Sequence, residues 1–310
     1  MEVRRNRKGP GEGRDAGSLQ FLRRPRQLAP LSAADAPVLV HPVMLCAFEG
    51  WNDAGEAASS AATYLAHSWD ARPFAEIDPD EFFDFTEVRP EVTFTDAGER
   101  RIVWPSTTFS VAKGSGGSPD VVLVRGPEPQ LRWQAYCGAL IELAGFLGVE
   151  RVVTLGAYLG EVTHGRAVPV NAASADRELS ERDGLQPSLY EGPTGIVGVL
   201  GAALAEASIP AISVWASVPC YTLPVSPKAA LALVGVVTRL VGREVETEAL
   251  ETESVEYERR MDELVAEDEN IAAYVARIEE MEEAVGADLS AEGLTEEIER
   301  YLRNGPATPG

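Results

Sequence analysis

Three groups of residues in the 310-residue chain combine types that do chemistry. Glu49, Asn52 and Asp53 follow directly on the apolar run Val43-Met44-Leu45-Cys46-Ala47-Phe48. Two carboxylates in one cleft push each other's pKa apart and can divide acid and base roles. The plainer account of Asn52 and Asp53 is helix capping, because their side-chain oxygens accept from the free N–H groups of a following helix. Glu161, His164 and Arg166 share one glycine-dotted loop, where an acid, a base and a cation clamp could act together. A surface salt-bridge cluster explains them more simply. Gly192, Thr194 and Gly195 open a helix, so their exposed N–H groups and the positive end of its dipole suit a phosphate or carboxylate. The same residues are also ordinary helix-start signals.

Several catalytic signatures are missing. The chain has no GxSxG elbow, no HExxH, no Walker A lysine loop and no GxGxxG after a strand. Gly114 to Gly117 precedes a strand and reads as a turn. Three histidines leave little room for imidazole-centred chemistry. Cys46, Cys137 and Cys220 stand far apart in apolar surroundings, so buried free thiols are expected rather than a disulfide framework or a zinc site. No metal and no cofactor is expected. His67 reads as a favourable charge at a helix C-terminus, and Trp51, Trp133 and Trp215 as core or interface residues.

The elements that must position these groups alternate strand and helix. The run to Phe48 stops at Glu49-Gly50, and Ala57, Ala58, Ala61, Ala62 and Leu65 then recur at helical spacing. Further strands are expected at 74–77, 121–124, 152–155 (ending in Gly156) and 212–215, with short antiparallel pieces at 92–94 and 101–104. Helices are expected through Trp133 to Leu147, from about 173 to 182, from Ile196, and from Pro227 with Ser226 as its cap. This rhythm predicts an α/β domain over 31–242 with a mostly parallel sheet. Residues 1–30 show no apolar period and are expected to be a disordered basic arm. Residues 243–303 carry Tyr257, Met261, Leu264, Ile271, Tyr274, Ile278, Met281 and Val285 in helical steps, an acidic helical appendage with a last helix from Ser290. Residues 304–310 form a tail.

Charge follows the same division. Residues 1–30 hold 8 basic and 3 acidic side chains, whereas 243–303 hold 21 acidic and 6 basic, in a chain of net charge -22. Such a chain should repel nucleic acid and anionic membrane. No apolar run approaches the roughly 18 residues of a membrane span, and there is no secretory h-region, so the cytoplasm is expected.

Glu49-Gly50-Trp51-Asn52-Asp53-Ala54-Gly55, Gly126-Pro127-Glu128-Pro129 with Trp133, and Arg166 to Val170 together resemble the proteasome assembly chaperone two family, in its bacterial, actinobacteria-like branch. Tyr190-Glu191-Gly192-Pro193-Thr194-Gly195-Ile196 and Val218-Pro219-Cys220-Tyr221 belong to the same resemblance. It implies a three-layer αβα sandwich of the phosphorylase/hydrolase-like kind seen in purine nucleoside phosphorylases, and it implies self-association. Eukaryotic and archaeal members bind proteins and help assemble the proteasome; the bacterial branch has no assigned role. Members that dock the proteasome use a C-terminal hydrophobic residue, a tyrosine and a last residue. This chain ends Ala307-Thr308-Pro309-Gly310, with Tyr301-Leu302 too far inside to serve.

The expected function is therefore a non-enzymatic interaction protein, a homo-oligomer guessed as a trimer, with a proteasome-related partner. The alternative is a nucleoside phosphorylase- or hydrolase-like enzyme, or an anion-binding protein, with Glu49, Asn52, Asp53, Glu161, His164, Arg166 and Thr194 lining its cleft. An ATP-dependent carboxylate–amine ligase ranks last, for want of a phosphate loop or metal carboxylates.

Overall fold

Residues 43–48 are all apolar, with no period of two, which is the pattern of a strand covered on both faces. In the computed structural model, which describes residues 22–24, 27–30, 37–183, 185, 188 and 190–288, that run is central. The strands are β1 (Leu22–Arg24), β2 (Gln27–Pro30), β3 (Val43–Glu49), β4 (Arg72–Ile77), β5 (Glu91–Phe94), β6 (Arg100–Val103), β7 (Thr108–Ala112), β8 (Val121–Pro127), β9 (Arg151–Gly160), β10 (Val170–Ala173) and β11 (Ala211–Pro219). The helices are α1 (Ala57–Ser68), α2 (Trp133–Leu147), α3 (Arg177–Asp183), α4 (Ile196–Glu206), α5 (Pro227–Val241), α6 (Glu248–Glu267) and α7 (Glu269–Asp288).

Nine strands form one mixed sheet in the order β10-β11-β9-β3-β8-β7-β4-β1-β2. Only β11, β9, β3 and β8 pair parallel. The flanking pairs are antiparallel, so the expectation of a mostly parallel sheet is corrected. The reason is connection length. The turn at Gly114–Ser118 is too short for a crossover and returns the chain beside β7 in the opposite sense. β1 and β2 also depart from the expected disorder: β1 pairs with β4 through Leu22↔Ile77 and Arg23↔Glu76. An open sheet edge offers backbone groups that any extended segment can pair with, so no apolar period is needed.

Alternate residues of β3 face opposite layers. Val43, Leu45 and Ala47 pack with α1 and α5, and Met44, Cys46 and Phe48 with α2 and α4. The result is an αβα sandwich. The small face of α1 (Ala57, Ala58, Ala61, Ala62) is fully buried and lets that helix approach the sheet closely. Ser226 caps α5 by accepting from the Ala229 N–H, as its sequence context predicts. β5 and β6 pair only with each other and are exposed along their length. A two-stranded ribbon is marginal alone, and its base is pinned by Phe85 against Trp104 at 4.8 Å.

The acidic helices α6 and α7 form an arm. α6 lies on α5 and buries Leu250, Tyr257 and Met261, while α7 buries Val275 and Ile278. The helix expected from Ser290 and the tail at 304–310 lie outside the described residues.

One buried polar pair tests how tightly this core is specified. Thr107 Oγ1 and the Tyr136 hydroxyl sit 2.7 Å apart, both fully buried, and Tyr136 is wedged between Phe48 and Phe82. Tyr136→Phe strands the Thr107 hydroxyl and should cost about 1–3 kcal/mol in denaturant unfolding. Adding Thr107→Val should recover most of that loss. A double variant no more stable than the single one would show that the pair is not the source of the cost.

Candidate functional site

β3 and β8 are neighbours, but the chain leaves β3 for α1 on one face and leaves β8 for α2 on the other. Open α/β sheets bind ligands at the carboxyl end of such a divide. Here the crevice is filled from inside. The Asn52 amide donates to Glu128 Oε1 at 3.0 Å, and the same oxygen accepts the Ile196 N–H at 2.7 Å, at the first turn of α4. The anion expected at Gly192-Thr194-Gly195 is therefore the protein's own Glu128. Gly195 is what permits the approach: a Cβ there would lie 2.2 Å from Asn52 Nδ2 and 2.6 Å from Glu128 Oε1. Asn52 also accepts the Ala157 N–H on its backbone oxygen at 2.7 Å, which stitches the turn to β9.

Asp53 does cap α1, at longer range than expected. A single 3₁₀ turn, Ala54–Glu56, intervenes, and Oδ1 accepts from Ala58 N–H at 2.7 Å and Ser59 N–H at 3.2 Å. Asn52 does not cap. Both residues are over nine-tenths buried, and Asn52 Oδ1 and Asp53 Oδ2 have no partner among the described residues. Burial raises the Asp53 carboxyl, against the lowering by its bonds from Ser59 and Ala58, with Glu56 raising it further. Glu49 is also raised, first by burial and then by Asp53 and Glu56, against an opposing pull from Arg125. Glu49 itself is exposed at the end of β3, so loss of water acts mainly on the buried Asp53, whose charged form it disfavours.

Glu161, His164 and Arg166 do not join this cluster. Glu161 is exposed and faces Arg277 of α7 at 3.6 Å; Arg166 is exposed on the same loop. His164 is buried, not part of a surface cluster. Its Nδ1 lies 2.9 Å from the Tyr221 hydroxyl and its Nε2 3.0 Å from Asp262 of α6. A neutral ring protonated on Nε2 satisfies both: it donates to Asp262 and accepts from Tyr221, whose oxygen takes the His164 backbone N–H at 3.1 Å. Burial pushes the Tyr221 phenol up to about 12. Lys228 pairs with Glu258 and donates to the His164 carbonyl, and Thr222 meets the Tyr257 hydroxyl at 2.8 Å. This loop holds the helical arm.

Beside the filled crevice opens a groove of about 2040 Å³ between α4, the ends of β9, β10 and β11, and the segment around Tyr190. Gly192 and Thr194 line it. Trp51, Tyr158, Leu159 and Tyr190 stand on it with 63%, 42%, 55% and 67% of their surface exposed. Trp215 forms part of its floor, and a Cβ at Gly156 would lie 2.5 Å from that ring. Cys220 also lines the groove and is exposed, which corrects the expectation of three buried thiols: β11 ends at Pro219, and Cys220 sits on the turn beyond. Cys46 and Cys137 are buried, and burial holds both thiols above their ordinary value.

Glu128 and Tyr158 were not singled out by residue type. Glu128 follows β8 at the sheet's carboxyl edge, the position that made Glu49 a candidate. Tyr158 was missed because β9 runs four residues past Gly156. Among the described residues, no group of three or more His, Cys, Asp or Glu is placed to hold a metal ion. No helix there is long and apolar enough to cross a membrane.

Layering, mixed sheet and arm define an αβα sandwich protein with C-terminal helices on the sheet's carboxyl edge. The chain belongs to the PAC2 family, whose model matches residues 47–265. It is similar to a PAC2 family protein from Streptomyces avermitilis, at 44% identity over 76% of this chain and 99% of that one, with a TM-score of 0.71. It is also similar to a proteasome-assembly chaperone homologue from Mycobacterium tuberculosis, at 41% identity over 75% and 99%, with a TM-score of 0.68. The archaeal proteasome activator PbaB from Pyrococcus furiosus shares the fold, at 19% identity over 74% and 95%, with a TM-score of 0.60. No curated protein matches the chain.

Two measurements check the electrostatics of the crevice. Glu128→Ala removes two charge-assisted bonds and should cost about 2–3 kcal/mol of stability. Inorganic phosphate should restore part of the melting temperature of the variant and leave the wild type unmoved; no differential response would mean the α4 terminus does not depend on an anion. For Asp53, the folded carboxyl lies above its ordinary value of 3.8, so the folded state binds the extra proton more tightly than the unfolded state. Stability then falls as pH rises through the folded value. Titrating wild type and Asp53→Asn downward from pH about 7 should show the wild type gaining stability relative to the variant. Parallel curves would contradict the raised value.

Proposed function

We propose that this PAC2-family chain is a non-enzymatic interaction protein of the assembly-chaperone type. It self-associates as a trimer in the cytoplasm and has a proteasome-related protein as its partner. One observation carries this reading: four large apolar side chains, Trp51, Tyr158, Leu159 and Tyr190, converge exposed on a single groove. Exposed apolar surface costs about 25 cal/mol per Å² against water, so its concentration in one place marks a surface meant to be covered. The likeness to an assembly-chaperone homologue at 41% identity supports the choice of partner. The filled crevice speaks in the same direction, because its polar groups are aimed at each other.

A second reading draws on the orphaned Asn52 Oδ1 and Asp53 Oδ2, which would suit a small polar ligand such as a nucleoside at the crevice. The two readings separate cleanly. On the first, native pull-down with the wild-type chain recovers proteasome subunits, Trp51→Ala weakens recovery by roughly 30-fold as a central aromatic anchor should, and light scattering gives three times the chain mass. A single-chain mass at micromolar concentration would overturn self-association. On the second, nucleosides, phosphate or ribose phosphates raise the melting temperature of wild type but not of Asp53→Ala, a result that would displace the interaction reading.

A further inference from the structure

The β5–β6 ribbon has one apolar face and is exposed on both. In its register Val92 opposes Ile102 and Phe94 opposes Arg100. Opposed residues share a face and successive ones alternate, so Val92, Phe94, Ile102 and Arg100 form one side. Glu91, Thr93, Arg101 and Val103 form the other. All eight are exposed, Phe94 by 69%, so the chain's own groove does not cover the apolar side. A two-stranded ribbon is marginal in water unless its hydrophobic face packs on something.

Ribbon and groove stand at the same edge of the sheet, on its two sides. β4 and β7 flank the ribbon in sequence and pair as Glu76↔Thr108, and Thr108 sits beside Arg125 near the carboxyl end of β8. The groove lies at the ends of β9, β10 and β11, on the far side of β3 and β8. The two surfaces match in size, polarity and charge. The groove's 2040 Å³ exceeds the roughly 1,000 Å³ ceiling of small-molecule sites and suits a polypeptide segment. Its apolar rim residues Trp51, Tyr158, Leu159 and Tyr190 would meet Val92, Phe94 and Ile102. Each surface carries one charge and the signs are opposite: Asp176 in the groove among the described residues, Arg100 on the ribbon face. Asp176 is half-buried and spends one oxygen on the Leu179 N–H at 3.0 Å. Chains of net charge -22 repel, so copies meet best where acidic side chains are scarce, as they are on these two faces.

We propose that the β5–β6 ribbon of one copy docks its apolar face into the groove of a second copy, with Arg100 facing Asp176. The two patches differ, so the contact is heterologous and repeats head to tail until a ring closes. Both lie at one edge of the sheet, so successive copies can stay level instead of climbing into a filament. The proposal rests on the self-association read above and assigns its surfaces. A protein partner at the groove then competes with the neighbour's ribbon.

Light scattering on the full chain tests it. Phe94→Glu removes the ribbon's anchor and Trp51→Glu the groove's, and each variant alone should fall to single-chain mass at micromolar concentration. Their equimolar mixture keeps one intact ribbon and one intact groove, so it should return a two-chain mass. Thr93→Glu, on the ribbon's other face, should keep the wild-type mass. Circular dichroism verifies that each variant folds, and Leu159→Glu takes the place of Trp51→Glu if that chain does not. Anchor variants that keep the wild-type mass, a mixture that stays single-chain, or loss of assembly in Thr93→Glu would overturn the ribbon contact and leave self-association standing. A wild-type chain of single-chain mass would overturn both.

Discussion

One carboxylate organises the carboxyl edge of the sheet. Glu128 Oε1 takes the Asn52 amide and the first free N–H of α4, joining three segments that leave the sheet in different directions. A helix N-terminus needs an acceptor, and a half-buried carboxylate needs donors; each satisfies the other at about 1.5–3 kcal/mol per bond to a charged group. The approach is close: a Cβ at Gly195 would lie 2.2 Å from Asn52 Nδ2 and 2.6 Å from Glu128 Oε1, and would push both side chains off their bond. The turn Glu49–Asp53 is thereby held against β9, and Trp51, next to the buried Asn52, is left facing outward at the groove. A constraint of packing inside the crevice thus sets the surface outside it.

The same edge carries the arm, and the arm is held by polar contacts more than by apolar ones at its outer end. α6 contributes Tyr257 and Met261 to the core, but the reach to the β9 and β11 loops depends on His164–Asp262, Lys228–Glu258 and Thr222–Tyr257. Asp262 is 76% exposed, so its bond to His164 competes with water and contributes little, about 0.5–1.5 kcal/mol. The arm is therefore fixed at its root, where Tyr64 and Trp69 donate to the Glu246 and Glu244 carbonyls, and more weakly held toward α7. An acidic arm on a chain of net charge -22 gains nothing from self-attraction, so what positions it is the buried side of α6.

Periodicity made the layers legible. β3, β8 and the small face of α1 follow from the apolar run at 43–48, the buried run at 121–124 and the alanine spacing after Asp53, because burial on both faces or on one stripe writes itself into composition. The mixed sheet was not legible, since strand direction depends on the length of connections whose course periodicity does not report. β10 escaped for a related reason: Val170-Asn171-Ala172-Ala173 is half-buried at most, and its pairing with β11 is made by backbone. At the site, residue type found Asn52, Asp53 and Gly195, and capping describes Asp53 but not Asn52. Asn52 resembles a cap and instead holds Glu128. His164 resembled a surface or catalytic histidine because its partner, Asp262, lies 98 residues away. Long-range pairing of that kind leaves no trace in local spacing.

Whether such an edge performs chemistry or recognition turns on where its polar groups point. Catalysis needs donors and bases preorganised toward a reacting atom that is not part of the protein. Here the donor at α4 faces Glu128, the Asn52 amide faces Glu128, and Asp53 spends one oxygen on two N–H groups of α1. Opening the crevice to a substrate would first break these bonds, and each would have to be repaid by the incoming ligand before any rate was gained. The groove carries no such debt: its rim is apolar, already exposed, and loses only water when covered. The energetically ready surface of this fold is the one beside the sheet's usual ligand site, and a partner that covers Trp51, Tyr158, Leu159 and Tyr190 gains from the first contact.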